Sequence, residues 1–241
     1  KEYVMNEYIN NTMANSKKTT ETINNQPSHL NDIDALSQYI KDTAGVREGR
    51  AIPPLENWHP QNVADMDLVI KSNGEWWHEG EKVTRESLVS LFASILWKED
   101  HDGIAEYFLK TPVQKLRIQV EDAPLFINDV GIVKEDDKSW LEFTTTTGDV
   151  VRLDNEHPIT LQAYNPTLTH NVNIRADNKQ EQTSEVSVRP YMTVRNGLTA
   201  LIARHTFYHL TEIGELTECN GETILTLQSG AESYQISMPA D

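Results

Sequence analysis

The chain has one cysteine, Cys219, among its 241 residues. A lone thiol closes no intramolecular disulfide and offers no CxxC pair for zinc or redox chemistry, which fits a reducing cytoplasm. Cations are scarce as well: 21 Lys and Arg face 37 Asp and Glu, a net charge of −16. Such a charge repels a polyphosphate before contact, so a nucleic acid polymer is not an expected partner. The sequence has no apolar run of roughly 18 residues, the length a spanning helix needs, and no basic start leading into an apolar stretch. The expectation is a soluble, cytoplasmic protein without a membrane partner. The G-x-S-x-G, G-x-x-x-x-G-K and G-x-G-x-x-G strings are also missing, which removes the common signatures of serine hydrolases, P-loop enzymes and dinucleotide binders.

What is present is a pattern that occurs twice. DLVIKSNGEWWHEGEKVTRESLVSLFASIL and PYMTVRNGLTALIARHTFYHLTEIGEL each read as an apolar strand, an Asn-Gly turn, a second strand, an arginine (Arg85 or Arg204) and an amphipathic helix. Each helix is followed by a Gly turn, Asp102-Gly103 or Asn220-Gly221, and more strand. The predicted class is therefore α+β, built from duplicated strand-turn-strand-helix-strand units around antiparallel sheet. Two copies of one unit leave a groove between them, where small ligands commonly bind.

The chain divides at composition shifts. Residues 1–30 are rich in Asn, Thr and Lys without apolar period and read as a mobile polar tail. Residues 31–61 hold a helix starting near Asp32, with Ile33, Leu36 and Ile40 at helical spacing, and then IPPLENWHP, an extended connector pinned by Trp58. The first repeat domain covers 62–135 and the second 136–241. In the first, Thr84 is placed to cap a helix running through Leu88, Leu91, Phe92, Ile95 and Leu96. In the second, SWLEFTTTT, VVRLD and ITLQAY read as strands, and the segment from Asn165 to Val188 as an irregular insertion or loose hairpin.

Three strings, IPPLENWHP, TPVQKLRIQVEDAP and RPYMTVRNGLTAL, resemble the bacterial Domain of Unknown Function 1285 family from about Pro53 onward. Gln114 stands where that pattern calls for an acidic residue and Leu125 where it calls for Phe. The resemblance implies a duplicated α+β core, a second half superficially like pleckstrin-homology folds, a nucleotide-like ligand at the domain interface and a role in signal transduction. It implies no enzyme activity.

Candidate ligand residues follow from charge and spacing. In LRIQVEDAP the strand alternates Lys115 and Arg117 with apolar residues and ends in Glu121 and Asp122. Arginine suits bidentate recognition of phosphate or carboxylate, and carboxylates accept from ribose hydroxyls or base amines. The competing reading is the wet face of a half-buried strand with weak cross-strand ion pairs. Arg189, Tyr191, Arg195 and Asn196 form a second set, with Arg189 and Arg195 at opposite ends of one strand, and Arg85 precedes the first helix. Asn196-Gly197 also fits a plain turn role, and Trp76 and Trp77 fit core packing as well as stacking. His205 and His209 have i, i+4 spacing without a third ligand, so neither a metal nor another cofactor is expected. The expected partner is a small anionic or nucleotide-like molecule bound without catalysis. Alternatives are a ligand-free protein-interaction adaptor, and a nucleotide hydrolase or transferase with Glu121 or Asp122 as base.

Overall fold

The computed structural model describes residues 32–44, 52–164 and 187–239. The expected tail (1–30) and nearly all of the expected insertion after Asn165 lie outside the described residues. Ser187 and Val188, placed in that insertion by the sequence reading, already belong to a strand.

Helix α1 spans Ile33–Ala44, and Asp32 caps it by accepting from the backbone N–H of Asp34 and Ala35, both at 2.9 Å. Its apolar stripe buries Leu36 and Ile40. The connector is not fully extended: Leu55–Asn57 forms one tight helical turn that buries Leu55 completely, while Trp58 packs half-buried on the core.

The first sheet has the order β3-β2-β1-β6-β5-β4. Its strands are β1 (Asn62–Ile70), β2 (Trp76–His78), β3 (Glu81–Lys82), β4 (Leu96–His101), β5 (Ile104–Lys110) and β6 (Gln114–Val120). Helix α2 is Glu86–Ala93, shorter than the periodicity predicted. Arg85 rather than Thr84 precedes it, with no side-chain cap, and Ile95 lies in the turn after the helix while Leu96 opens β4, both fully buried. An apolar pair at helical spacing is equally consistent with the start of a buried strand, and only tertiary packing decides.

The second sheet has the order β10-β11-β12-β7-β8-β9. It comprises β7 (Leu125–Glu135), β8 (Lys138–Thr145), β9 (Val150–Arg152), β10 (Ile159–Tyr164), β11 (Ser187–Arg195) and β12 (Leu198–Ile202). Helix α3 (Arg204–Ile213) follows, then β13 (Glu215–Cys219), β14 (Glu222–Ser229) and β15 (Glu232–Pro239), which form a separate three-stranded sheet. The chain crosses between the large sheets at Glu121–Pro124, and the boundary drawn at 135 falls between the paired strands β7 and β8.

A hairpin, a helix and a three-stranded meander thus occur twice. Asn196 (φ 48°) and Gly197 (φ 71°) form the two-residue turn whose positive dihedrals match strand twist. The large sheets are mixed rather than purely antiparallel: β1 runs parallel to β6 and β12 parallel to β7. Parallel pairing follows from the long crossovers, since only antiparallel strands join through short hairpins. One continuous apolar cluster, from Leu36 through Phe92 and Phe143 to Ile236, underlies both halves.

Candidate ligand-binding site

On β6 the strand period sends Leu116 and Ile118 inward and Lys115 and Arg117 outward. Lys115 Nζ lies 2.7 Å from Glu99 on β4, and Arg117 bonds Glu106 on β5 at 3.0 Å and Asp65 on β1 at 2.8 Å. Burial raises the Glu99 carboxyl, but the hydrogen bond and charge of Lys115, helped by Trp97 and His101, hold it below its ordinary value. Lys115 and Arg117 form cross-strand ion pairs on the outer face of the first sheet.

Glu121 and Asp122 sit where the chain leaves that sheet, and they face different ways. Glu121 accepts from Lys71 Nζ at 2.8 Å and from the Ser72 backbone N–H at 3.1 Å, bracing the β1–β2 turn. Asp122, only 6 % exposed, accepts from Arg189 at 2.7 Å through one oxygen and from the Tyr191 hydroxyl at 2.6 Å through the other. Burial and this hydrogen bond push the Tyr191 hydroxyl well above its ordinary range. Arg189 also stacks on Tyr164, 3.7 Å from the ring centroid.

Arg195 leaves the far end of β11, where the register slips by one residue after Thr193. Its Nε bonds Asp149 at 2.8 Å, and its Nη2 bonds the Ala93 carbonyl at 2.6 Å, at the C-terminal end of α2. A cation there complements the orphan carbonyls and negative pole of the helix. Asp149 closes the turn after β8 and also accepts from Thr145 and Thr147. Asn196 is an exposed turn residue, and Arg85 is an exposed link to Asp34 of α1 at 2.7 Å. Arg189 and Arg195 therefore do not meet. Each lines a different depression, Arg195 lying beside Arg152, Asp154 and His157 in one of about 570 Å³.

Arg189 lines the larger, a groove of about 760 Å³ whose walls come from β7, β10, β11, β12, α3 and β15, together with Ser72 of the first half. Apolar side chains make most of the lining, among them Phe126, Leu161, Leu201, Phe207 and Met238. The second cation in the lining is Arg204, the first residue of α3. Arg85, Arg117, Arg152, Arg189 and Arg195 all hold carboxylates. Among the described residues Arg204 alone of the arginines does not, reaching only the Tyr208 hydroxyl at 3.4 Å. Sequence reasoning did not select Arg204 or the groove aromatics as site residues, although Arg204 occupies the repeat position of Arg85. Among the described residues, no cluster of His, Cys, Asp or Glu is arranged to hold a metal ion, and no helix is long and apolar enough to cross a membrane.

Two family models match the chain: the N-terminal domain of a domain of unknown function, DUF1285, over residues 53–123, and the C-terminal domain of the same family over 169–236. A crystal structure of a DUF1285 family protein from Silicibacter pomeroyi DSS-3 is 30% identical, with a TM-score of 0.62, covering 87% of this chain and 95% of that one. The chain belongs to the DUF1285 family. A second DUF1285 structure, from Shewanella baltica OS155, is 29% identical over 61% of this chain and 91% of that one, with a TM-score of 0.39. No curated protein matches this DUF1285 member. Its family boundary at residue 123 falls at the crossover between the two large sheets, beside Asp122.

Proposed function

We propose that this protein is a non-catalytic receptor for a small anion, bound in the groove at α3 and reporting its occupancy to the junction of the two halves. The observation that carries this reading is an apolar groove of about 760 Å³ with two arginines, Arg189 and Arg204, in its lining, in a chain of net charge −16. The volume is within the ~300–1,000 Å³ of ordinary small-molecule sites. An arginine that, among the described residues, pairs with no carboxylate in so acidic a protein is suited to an incoming anion.

Arg189 supplies the link to signalling. Its partner Asp122 lies in the crossover between halves, so an anion drawing Arg189 toward the groove weakens the Asp122 contact. Occupancy and the geometry of the junction are then linked through one shared cation. The nucleotide-like ligand and the pleckstrin-homology-like second half implied by the resemblance belong to this reading as proposals. A catalytic reading gains no support, because Glu121 and Asp122 are both engaged as ties.

The test is thermal stabilisation by nucleotides, sugar phosphates and carboxylates, repeated on Arg189→Gln. A ligand at ~100 times its dissociation constant adds about 2.7 kcal/mol to the native state. Stabilisation by one anion class, reduced in the variant, is the expected result, and a flat response to every anion overturns the reading. A second reading, docking of an acidic amphipathic helix from a protein partner, is favoured by one observation: α1, itself such a helix, lies against α2 with Asp34 on Arg85.

A further inference from the structure

We infer that the groove takes an anion with a hydrocarbon body, a carboxylate or phosphate head on an aliphatic or aromatic frame, and that Arg204 is the residue holding the head. This rests on the reading above and narrows it. The first half contains the internal precedent. There the arginine before the helix, Arg85, is met by Asp34 of α1, and α1 buries Leu36 and Ile40 in the core close by. The arginine before α2 thus meets one acidic group carried on a helix with a buried apolar side. The corresponding end of α3 has the matching arginine, Arg204, and the groove, and among the described residues no carboxylate pairs with Arg204.

The lining decides the chemistry of the body. Its side-chain hydroxyls come from Ser72, Ser187 and Tyr208 alone, while Phe126, Leu161, Val188, Leu201, Phe207 and Met238 present hydrocarbon. A nucleotide brings base and ribose donors and acceptors that such walls leave unpaired, a costly arrangement for buried polar groups. A hydrocarbon frame brings none and gains from every apolar contact. The head has two cations within the same groove: Arg189, held by Asp122, and Arg204, which holds no carboxylate. The head therefore goes first to Arg204, where no existing ion pair must break.

The experiment is isothermal titration of the full chain with decanoate and decyl phosphate below their micellar concentrations, 1-decanol below its solubility limit, and AMP. Saturable 1:1 binding of decanoate or decyl phosphate, with decanol much weaker and AMP inert, is the expected pattern. Arg204→Gln weakens the decyl anion roughly 10- to 100-fold, the worth of a hydrogen bond to a charged group. Val188→Asp, at an exposed position on the rim, weakens it too while leaving the fold in place. Binding of AMP without the decyl anions overturns the inference and leaves the anion groove standing. Equal affinity for decanol and decanoate overturns the role of Arg204, and silence from all four probes together with a flat anion panel overturns both readings.

Discussion

Removing the carboxylate of Asp149 tests the buried tie between the halves. The Asp149 side chain is 3% exposed and that of Arg195 13%, and the guanidinium bridges Asp149 to Ala93 of the first half. Its third nitrogen, Nη1, is buried without a hydrogen-bond partner. Asp149→Ala therefore strands a charge that already lacks one bond. Stranding one partner of a buried pair costs about 3–5 kcal/mol, against about 0–1 for an exposed pair. At roughly 2–4 °C per kcal/mol for a chain of this size, the melting temperature falls by about 6–20 °C.

The assay is urea unfolding followed by circular dichroism, with thermal melts alongside. The double variant Asp149→Ala/Arg195→Met separates two causes of the loss. If the stranded charge is the cause, the double variant is more stable than Asp149→Ala, since no unpaired ion remains. If the cause is instead the turn that Asp149 organises with Thr145 and Thr147, the double variant is no better. A loss below about 1 kcal/mol in Asp149→Ala refutes the argument, because only a solvated pair behaves so.

Glu99 has a carboxyl pKa below its ordinary 4.5 in the folded state, so its contribution to stability is present above that value and is lost as pH falls through the lowered one. Glu99→Gln accordingly shows a shallower loss of stability than the parent between about pH 5 and pH 3, measured as urea midpoints, and superimposable acid limbs refute the assignment. Gly230 has φ +67°, and a Cβ added there meets the Trp140 ring at 2.6 Å. Gly230→Ala is expected to cost about 1–3 kcal/mol and to perturb the near-ultraviolet signal of Trp140, whereas an unchanged midpoint denies the packing of β14 on β8. Tyr191→Phe leaves Asp122 bound to Arg189 but without its hydroxyl donor, and is expected to lower stability by about 1.5–3 kcal/mol in the same assay, an effect below about 0.5 kcal/mol refuting the bond.

Local features were legible in the sequence because local chemistry decides them. Asn196-Gly197 declares a turn with two positive dihedrals, Asp32 declares the start of α1, and the alternation through Leu116 and Ile118 declares one buried face of β6. Long-range pairing left no such mark. Nothing near Leu198–Ile202 states that its neighbour will be β7, or that β13–β15 will stand apart as their own sheet. Among the candidate residues, chemistry was legible and convergence was not. Asp122, Arg189 and Tyr191 meet across 67 and 69 positions of chain because the crossover before Leu125 brings the end of the first sheet beside β11. Lys115 and Arg117, charged as well, pair instead with carboxylates on neighbouring strands of the first sheet.

The groove itself arises from how the two copies of the unit differ. In the first copy the meander returns, β6 pairs with β1, and α1 lies against the helix with an acid on its arginine. In the second copy β10 takes the place beside the first hairpin strand, β11, while β7 pairs with β12, the meander is displaced into a separate sheet, and Arg204 of α3 lines an apolar groove. Apolar surface left uncovered by the described residues is a standing cost in water, and a large exposed apolar patch marks an interaction or ligand site. A duplicated unit that kept its arginine, with no carboxylate on it among the described residues, is one in which a ligand can take the place of a structural element, and the chemistry α1 brings to the first copy, one carboxylate on an apolar body, is the chemistry to offer it.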